Sequence, residues 1–445
     1  MRRSLAVAAA VWMLLSVQVL AAQKPVAKKP RPPKVVVAVD TDRPDALYKK
    51  GEEVRFLITV TKGKEPITTG QASYVLDIDG LNPQGKGIVE LGDKPAVVVG
   101  KLDTPGFLAC RVLYKVGPKR AVRGVAAAGI SPLEIQPSMP APDDFDAFWA
   151  AQKAKLAKVP MEPKLTPFKQ GNAKVECFDV QLKCLGGAPV SGYYARPTGA
   201  KPKSCPAILH VHGAGVRSSG SWGPRGDAAR GRVSMDINAH GIPNGKPAAY
   251  YLELRKGKLR GYPHFGKDSR EKCYFLGMYL RLVRAIDFLT AQPEWDGKVV
   301  VVTGSSQGGW QSLVAGGIDS RVTCIAASVP AMCDHSGRVI GRINGWPKLV
   351  PTGKDGKPDP KVLAAARYFD AVNFAARCKA DAMVSSGFID RTCPPSTNYA
   401  AYNQLKGKIK EVVNEPHMGH SSSPGIRKAF ARFIADHITR SRAAK

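Results

Sequence analysis

Acidic side chains are scarce in this sequence. Asp and Glu number 36 against 66 Lys and Arg in 445 residues, a formal net charge of +30. Such an excess points to polyanionic surroundings, whether nucleic acid, acidic glycan or an anionic envelope surface, and says nothing about fold. No CxxC pair and no Cys/His cluster with zinc spacing occurs among the nine cysteines, which argues against a structural zinc site. No cysteine precedes Cys110, so a lipid-attachment cysteine near the N-terminus is missing. After the first 22 residues no apolar run reaches the ~18 residues a membrane-spanning helix needs. There is no internal repeat, so a propeller or solenoid is excluded. With 44% hydrophobic and 23% charged residues, the composition is that of an ordinary globular protein, neither wholly disordered nor fibrous.

What is present at the N-terminus has the form of an export signal. Arg2 and Arg3 precede a mostly apolar run from Leu5 to Val17, and Ala21-Ala22 offers small residues for cleavage before Gln23. This predicts a signal peptide over residues 1–22, a secreted or periplasmic mature protein, and no stable membrane insertion after cleavage. Nucleic acid is then excluded as an expected partner, although the basicity persists without Arg2 and Arg3. An oxidising compartment would permit disulfides. Cys177 and Cys184 could pair across adjacent strands, while buried free thiols fit most of the nine at least as well.

Residues 23–34 (QKPVAKKPRPPK) are Pro-rich and basic and read as a linker. Over 35–135, short β-rich runs such as EEVRFLITVTKG and GFLACRVLYKV are separated by Gly, Pro and Asp. They predict a small all-β sandwich of the immunoglobulin-like kind. Its Val54, Phe56, Ile58 and Val60 alternate with Glu53, Arg55, Leu57 and Thr59, as in a strand with one buried face. From residue 136 to 445 the pattern becomes alternating strand and helix, which predicts a doubly wound, mostly parallel α/β domain. Asp143 or Asp144 is placed to cap its first helix. Residues 216–270, rich in Gly, Arg and Tyr and without clear period, read as loops over a cleft.

Within that domain the apolar strand Val299–Thr303 runs into Gly304-Ser305-Ser306-Gln307-Gly308-Gly309 and then a helix. This G-x-S-x-G between strand and helix suits a nucleophile elbow, on which a sharp strained turn exposes the serine hydroxyl. Ser306 occupies its centre. A hydroxyl needs a base and the base an orienting carboxylate, in the chain order Ser, Asp, His for this fold. Asp390 lies just past the end of the strand beginning at Ala382, whereas Asp381 lies at the wrong end. The base is His420 or His417, with His420 favoured because Gly419 frees the backbone before it. Two backbone N–H groups should receive the oxyanion: that of Gln307, and that of Ala214 in the His210-Val211-His212-Gly213-Ala214-Gly215 loop. His212, upstream of the serine and so in the wrong order for the base, is expected to buttress this loop.

Residues 139–440 resemble the acetyl xylan esterase / cephalosporin C deacetylase family of α/β-hydrolases. The resemblance is carried by DDFDAFW at 143–149, by the G-x-S-Q-G elbow, by Tyr368-Phe369-Asp370 through Arg377, and by Asp390-Arg391-Thr392-Cys393-Pro394-Pro395-Ser396-Thr397. Where the family has R-G-Q after a Met-Asp strand, this chain has Ile237-Asn238-Ala239-His240-Gly241. The resemblance implies an α/β-hydrolase fold and a serine esterase that deacetylates carbohydrate. It implies Ser306, Asp390 and a histidine near 420 as triad, no metal and no cofactor, and leaves a homo-oligomer open. Two other readings stay in view. One is a prolyl-oligopeptidase-like peptidase, which a proline-peptide panel would reveal. The other is a non-catalytic glycan- or envelope-binding protein, which would bind without turnover.

Overall fold

The computed structural model describes residues 33–443, so residues 1–22 and nearly all of the 23–34 linker lie outside the described chain. The predicted alternation in Val54–Lys62 is realised: Val54, Phe56, Ile58 and Val60 are buried while Arg55 and Thr59 face outward. This strand pairs antiparallel with Val35–Thr41 and with Ala96–Gly100. Facing it is a five-stranded sheet in the order Leu47–Tyr48, Arg120–Ile130, Gly106–Gly117, Gln71–Ile78, Asn82–Glu90. The last of these went unread in the sequence, because its Asn-Pro-Gln-Gly-Lys-Gly start carries no β signal. Phe56, Ile58, Leu76, Leu108 and Val112 fill the space between the sheets.

The five-stranded sheet has a second role. In Gly106–Gly117 the first five residues are all buried, and only then does the pattern open. The early run is covered on both faces. Phe107, Ala109 and Ala127 turn outward into the core of the α/β part, where the Phe107 ring lies 4.9 Å from Phe388 and 5.5 Å from Tyr399. Nearby, Asp79 sits at a tight turn with φ +52°, buried and with no hydrogen-bond partner for either carboxylate oxygen among the described residues. Burial pushes its carboxyl up to about 7. Between pH 4 and 7 the folded chain therefore holds a proton that the unfolded chain releases, and stability from this group falls as pH rises. Asp79→Asn keeps a residue type tolerant of this backbone and cannot ionise. It is expected to stabilise the protein at pH 8 by on the order of 2 kcal/mol and to change little at pH 4, as read by urea unfolding.

The α/β part is built on a nine-stranded sheet: 164–167, 175–182, 190–197, 233–237, 205–211, 295–305, 324–328, 381–387 and 410–415, in that spatial order. The pairings from 233–237 onward are parallel and the three before are antiparallel. The unbroken Val299–Val302 run is explained by helices on both faces. Val300 and Val302 pack with Trp310 and Tyr279. Val299 and Val301 pack under Phe430 and Ile434 of the C-terminal helix Pro424–Ala443.

Two expectations are corrected, and a choice left open for the cysteines is decided. Residues 216–270 are not simply loops: they contain helices Trp222–Ala228 and Ala248–Lys256 and the inner strand Val233–Ile237. Asp144 stands at the start of helix Phe145–Ala157 but caps nothing with its side chain; its carboxylate is held by Arg270 and the Tyr368 hydroxyl. Cys177 and Cys184 are not bridged, and all nine cysteines are buried thiols. Among the described residues no helix is long and apolar enough to cross a membrane.

Candidate active site

Because the strands from 205–211 to 410–415 run parallel, the loops after them open at one edge of the sheet, where such folds bind ligands. Strand Trp295–Ser305 delivers Ser306 there with φ 60° and ψ −116°, a conformation costly for a side-chain-bearing residue. The surroundings enforce it. Ser306 N–H donates to Ser328 O at 2.9 Å, and Ser306 O accepts from the N–H groups of Trp310 and Ala331 at 3.0 and 3.1 Å. The flanking glycines are required by close approach. A Cβ at Gly304 would lie 2.3 Å from Val211 O, and one at Gly308 only 2.1 Å from the same atom. Helix Gln307–Ile318 starts at the next residue, so its first N–H groups have no acceptor within the helix.

Two further loops converge on the hydroxyl. His420 Nε2 lies 2.8 Å from Ser306 Oγ, and His420 Nδ1 lies 2.7 Å from Asp390 Oδ2. The Asp390 side chain is fully buried. Its Oδ1 accepts from the N–H groups of Thr392 and Cys393 at 2.8 and 2.9 Å. The loops are tied together by Phe388 N–H to Glu415 O at 3.1 Å and Ile389 N–H to Met418 O at 3.3 Å. His417 stays out of this group: its ring is exposed and lies 3.6 Å from Asp40 of the sandwich. Of the two histidines left open by the sequence, His420 is the one that meets Ser306.

The Cys393 thiol stands beside the pair, with ligand atoms of Asp390, Cys393 and His420 all within 4.8 Å of one another. Burial, then the adjacent Asp390 carboxylate, holds this thiol well above its ordinary range. A protonated thiol is a poor metal ligand, and the imidazole Nδ1 and the carboxylate are already joined to each other. The trio therefore fits support of the histidine better than an ion.

The Gly213–Ala214 peptide is oriented from behind. Ala239 N–H donates to His212 Nε2 at 3.2 Å, which leaves the proton on Nδ1, 2.7 Å from Gly213 O. Burial lowers His212 to about 4, so the ring is neutral at physiological pH. Since the peptide is planar and trans, a Gly213 carbonyl turned to this ring turns the Ala214 N–H away from it. Gly213 itself is next to the elbow, its Cβ position 3.7 Å from Ser306 Cβ. His212→Ala is expected to lower kcat about 100-fold with little change in KM, measured on a small aryl acetate.

A layer of side chains that sequence reading did not single out backs this region. Tyr262 hydroxyl donates to Gln307 Oε1 at 2.6 Å. His240 bridges Tyr274 hydroxyl at 2.7 Å and Gly215 O at 3.3 Å. These partners lie 25 to 45 residues apart, with no local pattern to announce them. The one available signal was that His240 falls where the chain departs from the family's R-G-Q.

An α/β sheet with a serine on a strained elbow, hydrogen-bonded through histidine to a buried aspartate, is the arrangement of the α/β-hydrolase class. Residues 133–437 match the family model described as acetyl xylan esterase. The chain is 31% identical over 374 residues to an acetyl esterase of Xylanibacter ruminicola, covering 83% of each protein. This chain belongs to the acetyl xylan esterase family. Among solved structures it resembles an acetyl xylan esterase from Paenibacillus sp. R4, with TM-score 0.59 and 28% identity over 68% of this chain and 98% of that one. Acetyl xylan esterase 1 from Thermoanaerobacterium sp. JW/SL YS485 shares the fold, with TM-score 0.58 and 22% identity over 69% and 97% of the two chains.

Proposed function

We propose that this protein is an exported serine esterase that removes acetyl groups from xylan-like polysaccharide or its oligosaccharides. The sandwich of residues 35–135 serves as an accessory domain and residues 136–445 carry the chemistry. The observation that carries the reading is the continuous hydrogen-bonded line from Ser306 through His420 to Asp390 in a chain of this family.

In this mechanism Ser306 Oγ attacks the acetyl carbonyl while His420 Nε2 takes the hydroxyl proton. Asp390 keeps the ring in the Nδ1-protonated tautomer and stabilises the imidazolium that forms. The Gln307 and Ala214 N–H groups receive the oxyanion. Collapse of the tetrahedral intermediate expels the sugar hydroxyl, protonated by His420, and leaves acetyl-Ser306. Water, activated by the same histidine, then releases acetate.

The test is acetate release from acetylated xylo-oligosaccharides by the chain starting at Gln23 and by its Ser306→Ala variant. Release by the first alone supports the reading. Cleavage of an aryl acetate without release from the oligosaccharide would move the substrate to another acylated glycan. Inactivity toward both would overturn the reading.

A further inference from the structure

The outer face of the five-stranded sheet is only half covered by the α/β part. Beyond Ala109 and Ala127 it continues as the wall of an open groove of about 810 Å³. Cross-strand register sets its lining in two rows. Lys86, Val75, Arg111 and Val125 form one row, and Ile88, Ser73, Leu113 and Arg123 the next. Each row crosses four strands, about 14 Å at the usual strand spacing. Val75 and Ile88 are 38% and 63% exposed, an aliphatic floor left open to solvent.

Cations rim that floor. Arg111 is matched by Asp77 at 2.6 Å. Lys86, Arg123 and Arg391 have no acidic partner among the described residues. Arg391 reaches the inner end of the groove: a Cβ at Gly80 would lie 3.1 Å from Arg111 Nη2 and 3.2 Å from Arg391 Nε. Two guanidinium groups thus converge beside Gly80, where Asp77 pairs with Arg111 and the buried Asp79 carboxyl, pushed up to about 7, hydrogen-bonds to neither. Arg391 directly follows Asp390, whose carboxylate holds His420. The groove therefore ends at the loop that supports the candidate triad.

We propose that this groove binds the anionic chain of a uronate-bearing polysaccharide, with carboxylates on Lys86, Arg123 and Arg391 and the faces of the sugar rings on Val75, Ile88 and Leu113. Charge complementarity and continuity with the domain interface favour this occupant over an uncharged glycan or an apolar protein surface. That the bound chain is also the substrate rests on the esterase reading above; the binding itself does not.

Binding is measured with the Ser306→Ala protein, by titration with xylan fragments bearing glucuronic acid and with uncharged xylo-oligosaccharides of equal length. Tighter binding of the acidic fragments, weakening as salt rises, is expected. Adding Lys86→Glu and Arg123→Glu should weaken it at least about tenfold. A control with Lys155→Glu and Lys158→Glu, on exposed positions at the end of helix Phe145–Ala157, carries the same change in net charge and should weaken it far less. Should the Glu pair misfold on thermal melting, Lys86→Gln with Arg123→Gln should still lower affinity in the same direction. Equal binding of charged and uncharged fragments, or equal loss in the groove and control variants, would overturn the proposal. So would binding of a polynucleotide through these residues without binding of the acidic xylan. Acidic fragments bound normally by a wild-type protein that releases no acetate would sink the esterase reading and leave the groove standing.

Discussion

Ser306→Ala is expected to lower kcat on an aryl acetate by about four to six orders of magnitude and to eliminate the acyl-enzyme burst. Stability should stay near wild type. Alanine carries the same Cβ, so the cost of φ 60° at the elbow is already borne by the native serine. The backbone bonds to Ser328, Trp310 and Ala331 do not involve the side chain. The lost hydroxyl bonds to His420, whose side chain is 27% exposed and can turn to water. His420→Ala should fall to a similar rate, and the double variant should be no slower than either single one, because the two groups act in one step. Single-turnover kinetics with urea unfolding alongside checks this. Additive losses would mean that the residues work separately.

Asp390→Asn is expected to lower kcat by about 10³ to 10⁴ at neutral pH while leaving the fold intact. The direction of the amide is dictated by the surroundings. Oδ1 already accepts two backbone N–H groups, from Thr392 and Cys393, so an asparagine must keep its oxygen there. Its NH₂ then faces His420 Nδ1 and donates to it, forcing the ring proton onto Nε2. That nitrogen would donate to Ser306 Oγ and could not accept its proton. Asp390→Ala is a poorer probe. It leaves the Thr392 and Cys393 N–H groups without an acceptor at a buried site, at about 1–3 kcal/mol each, and would mix unfolding with chemistry. A kcat for Asp390→Asn within tenfold of wild type would contradict the orienting role.

The parts of this molecule that could be read from sequence are those whose cause is local. Val299–Val302, Gly304, Ser306 and Gly308 are adjacent in the chain, and strand, strained turn and helix leave a contiguous signature. Asp390 and His420 were legible because parallel strands must release their loops at one edge, so a carboxylate just past a strand end can be assigned there. Strand Val233–Ile237 lies inside the sheet, yet its own pattern reads as loop, and only the resemblance to the family's Met-Asp strand marked it. It is five residues long, carries Ser234 and Asp236, and follows Gly231 in an Arg-rich stretch. The side chains behind the elbow, apart from His240 at the departure from the family's R-G-Q, carried no signal for a different reason. Tyr262 with Gln307, and His240 with Gly215, depend on the path of the chain through 216–270, which no spacing reveals. The choice between His417 and His420 was likewise one of register. Met418 O, between the two histidines in the chain, passes 2.3 Å from the Cβ position of Gly387, a crossing that spacing alone does not announce.

The buried thiols give the molecule a built-in record of its own opening. Cys110 lies in the core of the sandwich, while Cys324 lies in the α/β sheet under the C-terminal helix. Neither can meet a thiol reagent until its surroundings part, so each labelling rate reads the free energy of one local opening. The contact of Phe107 with Phe388 and Tyr399 joins the two cores. If that seam makes them a single cooperative body, Cys110 and Cys324 should be modified at one common rate in mild denaturant. Earlier modification of Cys110 would mark the sandwich as a unit that loosens on its own.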